Sequence, residues 1–273
     1  MRLLFMAWWG KLIGGTFGFM LGGPLGAMLG AALGHQVDSA LGGRAGVRYH
    51  LGDQERVQTA FFTATFSIMG HVAKADGQVS EAEIALAKRT MAHMGLSPDQ
   101  CRTAVNLFNS GKQPNFPLDD VLEQFHRECH HRHTLIQMFL ELQLQVAFAD
   151  QQLDPSESRI LLHIFERLGF SRQEFEYLVG MVRGTQQYYE YYEGAEATTQ
   201  KPSLADAYSV LGVSEDASDE HIRKVYRRLM SQHHPDKLVA KGLPEEMMTL
   251  AKDKTQEINR AYDQISETRR QLH

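Results

Sequence analysis

From Leu12 to Gly34 the chain runs for 23 residues without a charged side chain. A run of this kind has to leave water. Coiled as one helix at ~1.5 Å per residue it reaches about 35 Å, enough to cross a hydrocarbon core of roughly 30 Å. Trp8 and Trp9 lie just before it, where indoles favour a membrane interface, and Lys11 can snorkel to the same boundary. A cleaved signal peptide and a buried soluble helix are the competing readings. The run exceeds a usual signal core and offers no small-x-small cleavage site before His35, so the sequence is read as an uncleaved transmembrane helix over about residues 7–34.

Glycine recurs through this run at 10, 14, 18, 22, 26, 30 and 34. Small residues four apart let two membrane helices approach closely. Four residues turn an ideal helix by about 400°, so the row drifts around the axis and cannot all face one straight partner. Self-association is therefore expected to centre on Gly18, Gly22 and Gly26. The plainer alternative is a glycine-rich span that associates with nothing. Pro24 predicts a kink near mid-span, because it denies a hydrogen bond to the carbonyl of Met20.

Downstream, the chain repeats itself at an offset of 74 residues. Ala75-Asp76 matches Ala149-Asp150, Glu83 matches Glu157, Gly95 matches Gly169 and Ser97 matches Ser171. Each unit reads as an apolar helix, an acidic turn and a second helix. Phe61, Phe62, Phe66 and Met69 precede the first turn; Leu135, Phe139, Leu142 and Val146 precede the second. Such rows are core-facing helix stripes. Ser80 to Glu83 reads as a capping box, and Asp154-Pro155 as a cap followed by proline at the first helical position. Asp76, Glu83, Asp150 and Glu157 are hard oxygen donors, and His126, Cys129, His130, His131 and His133 include i,i+4 pairs on a predicted helix. Turn carboxylates and a polar helix face explain both sets, so no metal site and no cofactor is expected.

Near the C-terminus, Ile222, Val225, Tyr226 and Leu229 recur at helical spacing while Arg223, Lys224, Arg227 and Arg228 take the other side. Ser218 can cap this helix, with Asp219 and Glu220 in its first turn. His234-Pro235-Asp236 follows directly, and the proline ends the helix and pushes His234 towards extended geometry. Two apolar-periodic segments flank the motif, so it is presented as a loop. With the preceding Asp206 to Val213 and the later Glu257-Ile258-Asn259-Arg260-Ala261-Tyr262, this region resembles the J domain of DnaJ-like co-chaperones. His233 departs from that pattern, standing where the family commonly has an aromatic residue, and a fourth helix is short or missing.

The resemblance implies docking on the ATP-bound form of a DnaK-type chaperone and stimulation of its ATP hydrolysis, with no bond-making chemistry in this chain. Asp236 would pair with a partner arginine, Pro235 would hold the loop's shape, and His234 would contact the partner. Arg223, Lys224, Arg227 and Arg228 would steer an acidic partner surface. The Ala-Asp-Gly-Gln-Val-Ser-Glu stretch is similar to TerB-like helical domains. Together the three parts look like the DjlA class of bacterial membrane co-chaperones, which implies a link to envelope-stress and capsule phosphorelay signalling.

The expected architecture is all-α: a membrane anchor over 1–52, a TerB-like domain over 53–193, a linker over 194–202 that lets the J-like part reach its partner, and a J domain over 203–273. A DnaK-type partner works in the cytoplasm, so a single pass through the inner membrane with a periplasmic N-terminus is expected, with a homodimer formed in the membrane. Only Cys101 and Cys129 occur, too few for the zinc module of longer DnaJ proteins. The net charge of −5 leaves no broad basic footprint for nucleic acid. No phosphate loop or nucleophile constellation points to an enzyme. The alternative function is a membrane stress or metal sensor acting mainly through the middle domain.

Overall fold

A computed structural model describes residues 22–33, 52–149, 153–192, 203–240, 243 and 248–272. Among these residues the fold is all-α, with twelve helices. A short α1 (Gly23–Leu33) precedes the seven helices of the middle region: α2 (Asp53–Val72), α3 (Glu81–His93), α4 (Pro98–Gly111), α5 (Leu118–Cys129), α6 (His133–Ala147), α7 (Pro155–Arg167) and α8 (Arg172–Tyr192). The C-terminal region supplies α9 (Leu204–Leu211), α10 (Asp219–His233), α11 (Pro235–Ala240) and α12 (Met248–Leu272).

The 74-residue repeat is visible in how helices start and stop. Shifted by that offset, the bounds of α3 become those of α7, and the start of α4 becomes the start of α8. Ser80 and Glu83 form a reciprocal capping box at α3, and Asp154 and Glu157 form its counterpart at α7. Ser97 caps α4 in the same manner, and Ser171 exchanges hydrogen bonds with Glu174 at α8. Between each pair the chain turns at a glycine in the left-handed region, Gly95 at φ +60° and Gly169 at φ +83°.

The structure departs from the sequence expectation at α2, which is buried on every side from Val57 to Gly70 rather than along one stripe. Two of its buried hydroxyls bond back to the helix: that of Thr59 donates to the Glu55 carbonyl at 2.8 Å and that of Ser67 to the Thr63 carbonyl at 2.7 Å. Helices α4, α5, α6 and α7 surround it, and Phe61 packs edge-on against Phe139 and tilted against Phe125. The tightest crossing is with α4. A Cβ on Gly70 would overlap the carbonyl of Phe108, and a Cβ on Gly111 would overlap that of Ser67. The two backbones touch because both residues lack a side chain.

A continuous helix through residues 7–34 is not what the described part of that segment forms. Gly22 and Gly23 both sit in the left-handed region, at φ +62° and +61°, and the helix begins only at Gly23. Pro24 therefore starts α1 instead of kinking a longer helix, at a position where its missing N–H leaves nothing unsatisfied. Residues 7–21 lie outside the described residues, and among the described residues no helix is long and apolar enough to cross a membrane. Helix α1 rests on the middle region, with Leu25 and Leu29 fully buried, each stabilising the contact by about 1.5–3 kcal/mol. Of the glycines expected to self-associate, Gly18 lies outside the described residues, Gly22 precedes the helix and Gly26 is buried within the chain.

The supposed histidine cluster is broken by the fold. Helix α5 ends at Cys129, His131 turns the chain at φ +66°, and His133 opens α6 stacked on Phe170 at 4.5 Å. His130 and His131 keep their rings 4.5 Å apart, with no third His, Cys, Asp or Glu side chain converging on them among the described residues. Asp76 accepts from the Gln78 backbone while Glu83 and Glu157 are committed to caps, and Asp150 lies outside the described residues. Among the described residues no three His, Cys, Asp or Glu side chains converge on a metal position.

Because the α2–α4 crossing has no room for a methyl group, Gly111→Ala is expected to lower stability by about 1–3 kcal/mol, measured by urea unfolding of the detergent-solubilised chain. Gly180→Ala, where a Cβ meets nothing, is expected to be neutral or mildly stabilising in the same assay.

The His-Pro-Asp junction as candidate functional site

Helix α10 carries the site. Ser218 caps it by accepting from His221 N, and Asp219 and Glu220 occupy its first turn. Ile222, Val225 and Leu229 are buried and Tyr226 is half-buried, stacked on Tyr262 of α12 at 4.0 Å, with its hydroxyl donating to Asn259 Oδ1 at 2.7 Å. Arg223, Lys224, Arg227 and Arg228 are all exposed. The amphipathic reading of the sequence holds residue by residue.

The motif forms a junction of two helices rather than an open loop. His234 is the one extended residue, at φ −61° and ψ 123°, and Pro235 immediately opens α11. Two proline effects combine here: the residue before proline is driven out of the helical region, and proline itself suits the first helical position. His234 then acts as the cap of α11. Its carbonyl accepts from Lys237 N at 3.0 Å and Leu238 N at 3.1 Å, and its Nδ1 accepts from Asp236 N at 3.3 Å. Asp236 falls in the first turn, where the helix dipole favours a carboxylate. The side chains of His234 and Asp236 stay 49% and 84% exposed, so a partner can reach both. Leu238 is buried beneath them.

The C-terminal helices are tied together by a residue that sequence reading passed over. Arg269 near the end of α12 donates from Nε to the Tyr208 hydroxyl at 2.9 Å, from Nη1 to the Ala217 carbonyl and Asp219, and from Nη2 to the Glu215 carbonyl at 2.8 Å. A planar guanidinium can serve four acceptors at once. No local pattern marked it, because its acceptors lie some fifty residues back in the chain.

The C-terminal region is also seated on the middle region. Helix α9 packs along α8, where the Tyr177 ring occupies the space that a Cβ on Gly212 would need. The Tyr177 hydroxyl donates to the Leu211 carbonyl and accepts from Arg228, both at 3.4 Å. At the far end, His93 of α3 meets Asp253 of α12 at 3.2 Å. Between them His233, Glu141 of α6, Lys254 and Glu257 form a buried group: His233 Nε2 lies 3.7 Å from Glu141, Lys254 Nζ lies 4.0 Å from Glu141 and 3.7 Å from Glu257. Burial pushes the His233 imidazole below its ordinary pKa, with Glu141 working against that and Lys254 with it. The charged pairs here are the lysine and the two carboxylates, with a neutral imidazole beside them. The departure from an aromatic residue at this position thus has a local counterpart in Glu141.

A helical hairpin with a basic flank, an exposed His-Pro-Asp junction at its tip and a third helix packed behind it is the J domain, and the molecule is a J-domain protein with a helical domain in front. Three family models match in chain order: "Co-chaperone DjlA transmembrane domain" over residues 6–46, "Tellurite resistance protein TerB" over 62–178 and "DnaJ domain" over 206–273. The co-chaperone protein DjlA of Photorhabdus laumondii is 44% identical over 267 residues, covering 95% of this chain and 97% of its own. That of Shewanella oneidensis is 41% identical over 264 residues, covering 97% and 99%, and that of Coxiella burnetii is 48% identical over 220 residues, covering 78% and 79%. The chain belongs to the DjlA co-chaperone family. No solved structure matches it.

The buried imidazole sets an acid limit on this fold. A neutral buried histidine binds its proton more readily once unfolded, so its contribution is present above the ordinary value of 6.5 and is lost as pH falls below it. His71, also pushed down by burial, acts in the same direction. Stability is expected to fall between pH 7 and pH 5.5, by up to about 1.4 kcal/mol per pH unit for each histidine, and the thermal midpoint to fall with it. His233→Leu should flatten that slope, and an unchanged slope in differential scanning calorimetry would dismiss the assignment.

Proposed function

We propose that this chain is a co-chaperone held at the bacterial inner membrane that stimulates ATP hydrolysis by a cytoplasmic DnaK-type chaperone. The observation that carries the reading is the junction itself: His234 and Asp236 stand exposed at the end of a helix whose outward face is Arg223, Lys224, Arg227 and Arg228. An exposed carboxylate fixed at a helix start suits a directional contact with a partner arginine. The four cations suit an acidic surface and act on encounter more than on final affinity. Pro235 fixes the junction before the partner arrives, so little order has to be gained on binding.

In this reading the protein is single-pass with its N-terminus in the periplasm and its other domains in the cytoplasm, because a DnaK-type partner and ATP are there. Gly18, Gly22 and Gly26 would pair two copies within the bilayer, which requires α1 to be away from the middle domain. A connection to envelope-stress and capsule phosphorelay signalling is supported by family membership alone.

His234→Gln keeps a side-chain acceptor for the Asp236 N–H, so the helix junction should survive while the partner contact is lost. Stimulation of DnaK ATPase under single-turnover conditions is expected to drop to the unstimulated rate with an unchanged circular dichroism spectrum; wild-type stimulation would overturn the function. Arg227→Glu should raise the concentration giving half-maximal stimulation by on the order of tenfold at low salt, a difference that fades as the Debye length falls to about 3 Å near 1 M salt. A salt-independent defect would remove the basic face from the mechanism.

A further inference from the structure

Helix α1 occupies a site whose polar groups are placed for the ends of a helix. At its start, Gln124 of α5, only 2% exposed, uses both ends of its amide: Nε2 donates to the Gly22 carbonyl at 2.8 Å and Oε1 accepts from Leu25 N at 2.9 Å. At its other end Asn106 of α4 donates from Nδ2 to the Ala32 carbonyl at 2.8 Å. Between these clamps Leu25 and Leu29 are completely buried. The fit is specific at Gly23, where a Cβ would come within 2.7 Å of Gln124 Oε1. Helix ends leave backbone N–H and C=O groups without partners inside the helix, and these two amides meet that need at both ends of an otherwise apolar segment.

The same residues belong to the stretch that must span the bilayer. Without residues 23–33, the uncharged run keeps only Leu12 to Gly22, about 16 Å of helix at ~1.5 Å per residue, roughly half of a hydrocarbon core. Residues held by Gln124 and Asn106 cannot also lie in lipid. Docking and spanning are therefore alternatives.

We infer that the groove between α4 and α5 is the holding site for the chain's own anchor: residues 22–33 dock there while the chain is out of the membrane and leave it when the anchor inserts. The middle domain shields Leu25 and Leu29 from water until lipid can take them. Insertion frees Gly26 for contact in the bilayer and uncovers Gln124 on the cytoplasmic side. This inference rests on the anchor part of the function proposed above and not on the chaperone contact.

The test uses the full chain with Ala32→Cys and Asn106→Cys, and Cys101→Ser to remove the partly exposed thiol; Cys129 is fully buried. The chain is made by cell-free synthesis, either without lipid or with vesicles of phosphatidylethanolamine and phosphatidylglycerol, and oxidised mildly. An intramolecular disulfide is expected without lipid, falling on the order of tenfold in chains that float with the vesicles. Adding Gln124→Leu should lower the lipid-free yield several-fold. Because Asn106→Cys removes one clamp, amide hydrogen exchange over residues 25–33 is read in parallel on the unsubstituted chain, with protection expected in the lipid-free state. No disulfide together with no protection overturns the docking. Equal disulfide yield in floated chains overturns the exchange between sites, while leaving membrane attachment intact. A disulfide between two chains assigns the groove to a second copy and overturns docking in cis. Failure of the chain to float would instead refute the anchor itself, and with it the exchange.

Discussion

Everything in the middle domain is arranged around a helix with no outside. A helix buried on all faces needs neighbours on all faces, and α2 obtains them only because one neighbour can come unusually near. Gly70 and Gly111 bring the backbones of α2 and α4 into contact, which leaves perimeter for α5, α6 and α7 to close around the rest. Thr59 and Ser67 tolerate this burial because their hydroxyls bond within the helix and need no water. The domain's intolerance of a methyl group at the crossing follows from the lack of free space around α2.

The C-terminal region extends that core. Buried apolar residues run without interruption from the middle domain through Leu211 and Ile258, and the buried group around Glu141 lies at the joint. The sequence suggested a linker over residues 194–202 that lets the J domain reach its partner, and those residues lie outside the described residues. The described J domain is seated on the middle domain, with its tip and basic flank turned to solvent. Of the two carboxylates beside Lys254, Glu257 lies on the same helix and Glu141 belongs to the middle domain, so the contacts of Glu141 with Lys254 and His233 are the ones that cross the joint. This gives the joint a definite geometry where apolar contact alone would permit sliding.

Much of this was legible in the chain. The repeat appeared as matched Asp, Glu, Gly and Ser positions, and Asp76, Glu83, Glu157, Gly95, Gly169, Ser97 and Ser171 each sit in a turn or a cap, because these residues act through their own backbone neighbours. The His-Pro-Asp motif was legible for the same reason, since proline acts on the residues on either side of it. What escaped were interactions with no local mark: Tyr177 against Gly212, Glu141 beside His233, Arg269 reaching back to Tyr208 and Asp219. The histidine cluster misled because spacing alone was taken for a helix that ends at Cys129. In the anchor the four-residue glycine rhythm outweighed Gly22-Gly23-Pro24, a local signal for a turn followed by a helix start that could have been read.

The duplication gives the middle domain two corresponding helices with different guests. Helix α4 and helix α8 begin at equivalent positions of the two repeats. Against α4 lies α1, the segment arriving from the N-terminal side; against α8 lies α9, the first helix of the J domain. The corresponding helices of the two repeats thus serve as berths, one for the segment from the membrane end of the chain and one for the chaperone end. The α1 berth includes α2, and α8 packs on α6, so one helical domain touches both the segment that arrives from the anchor and the first helix of the J domain.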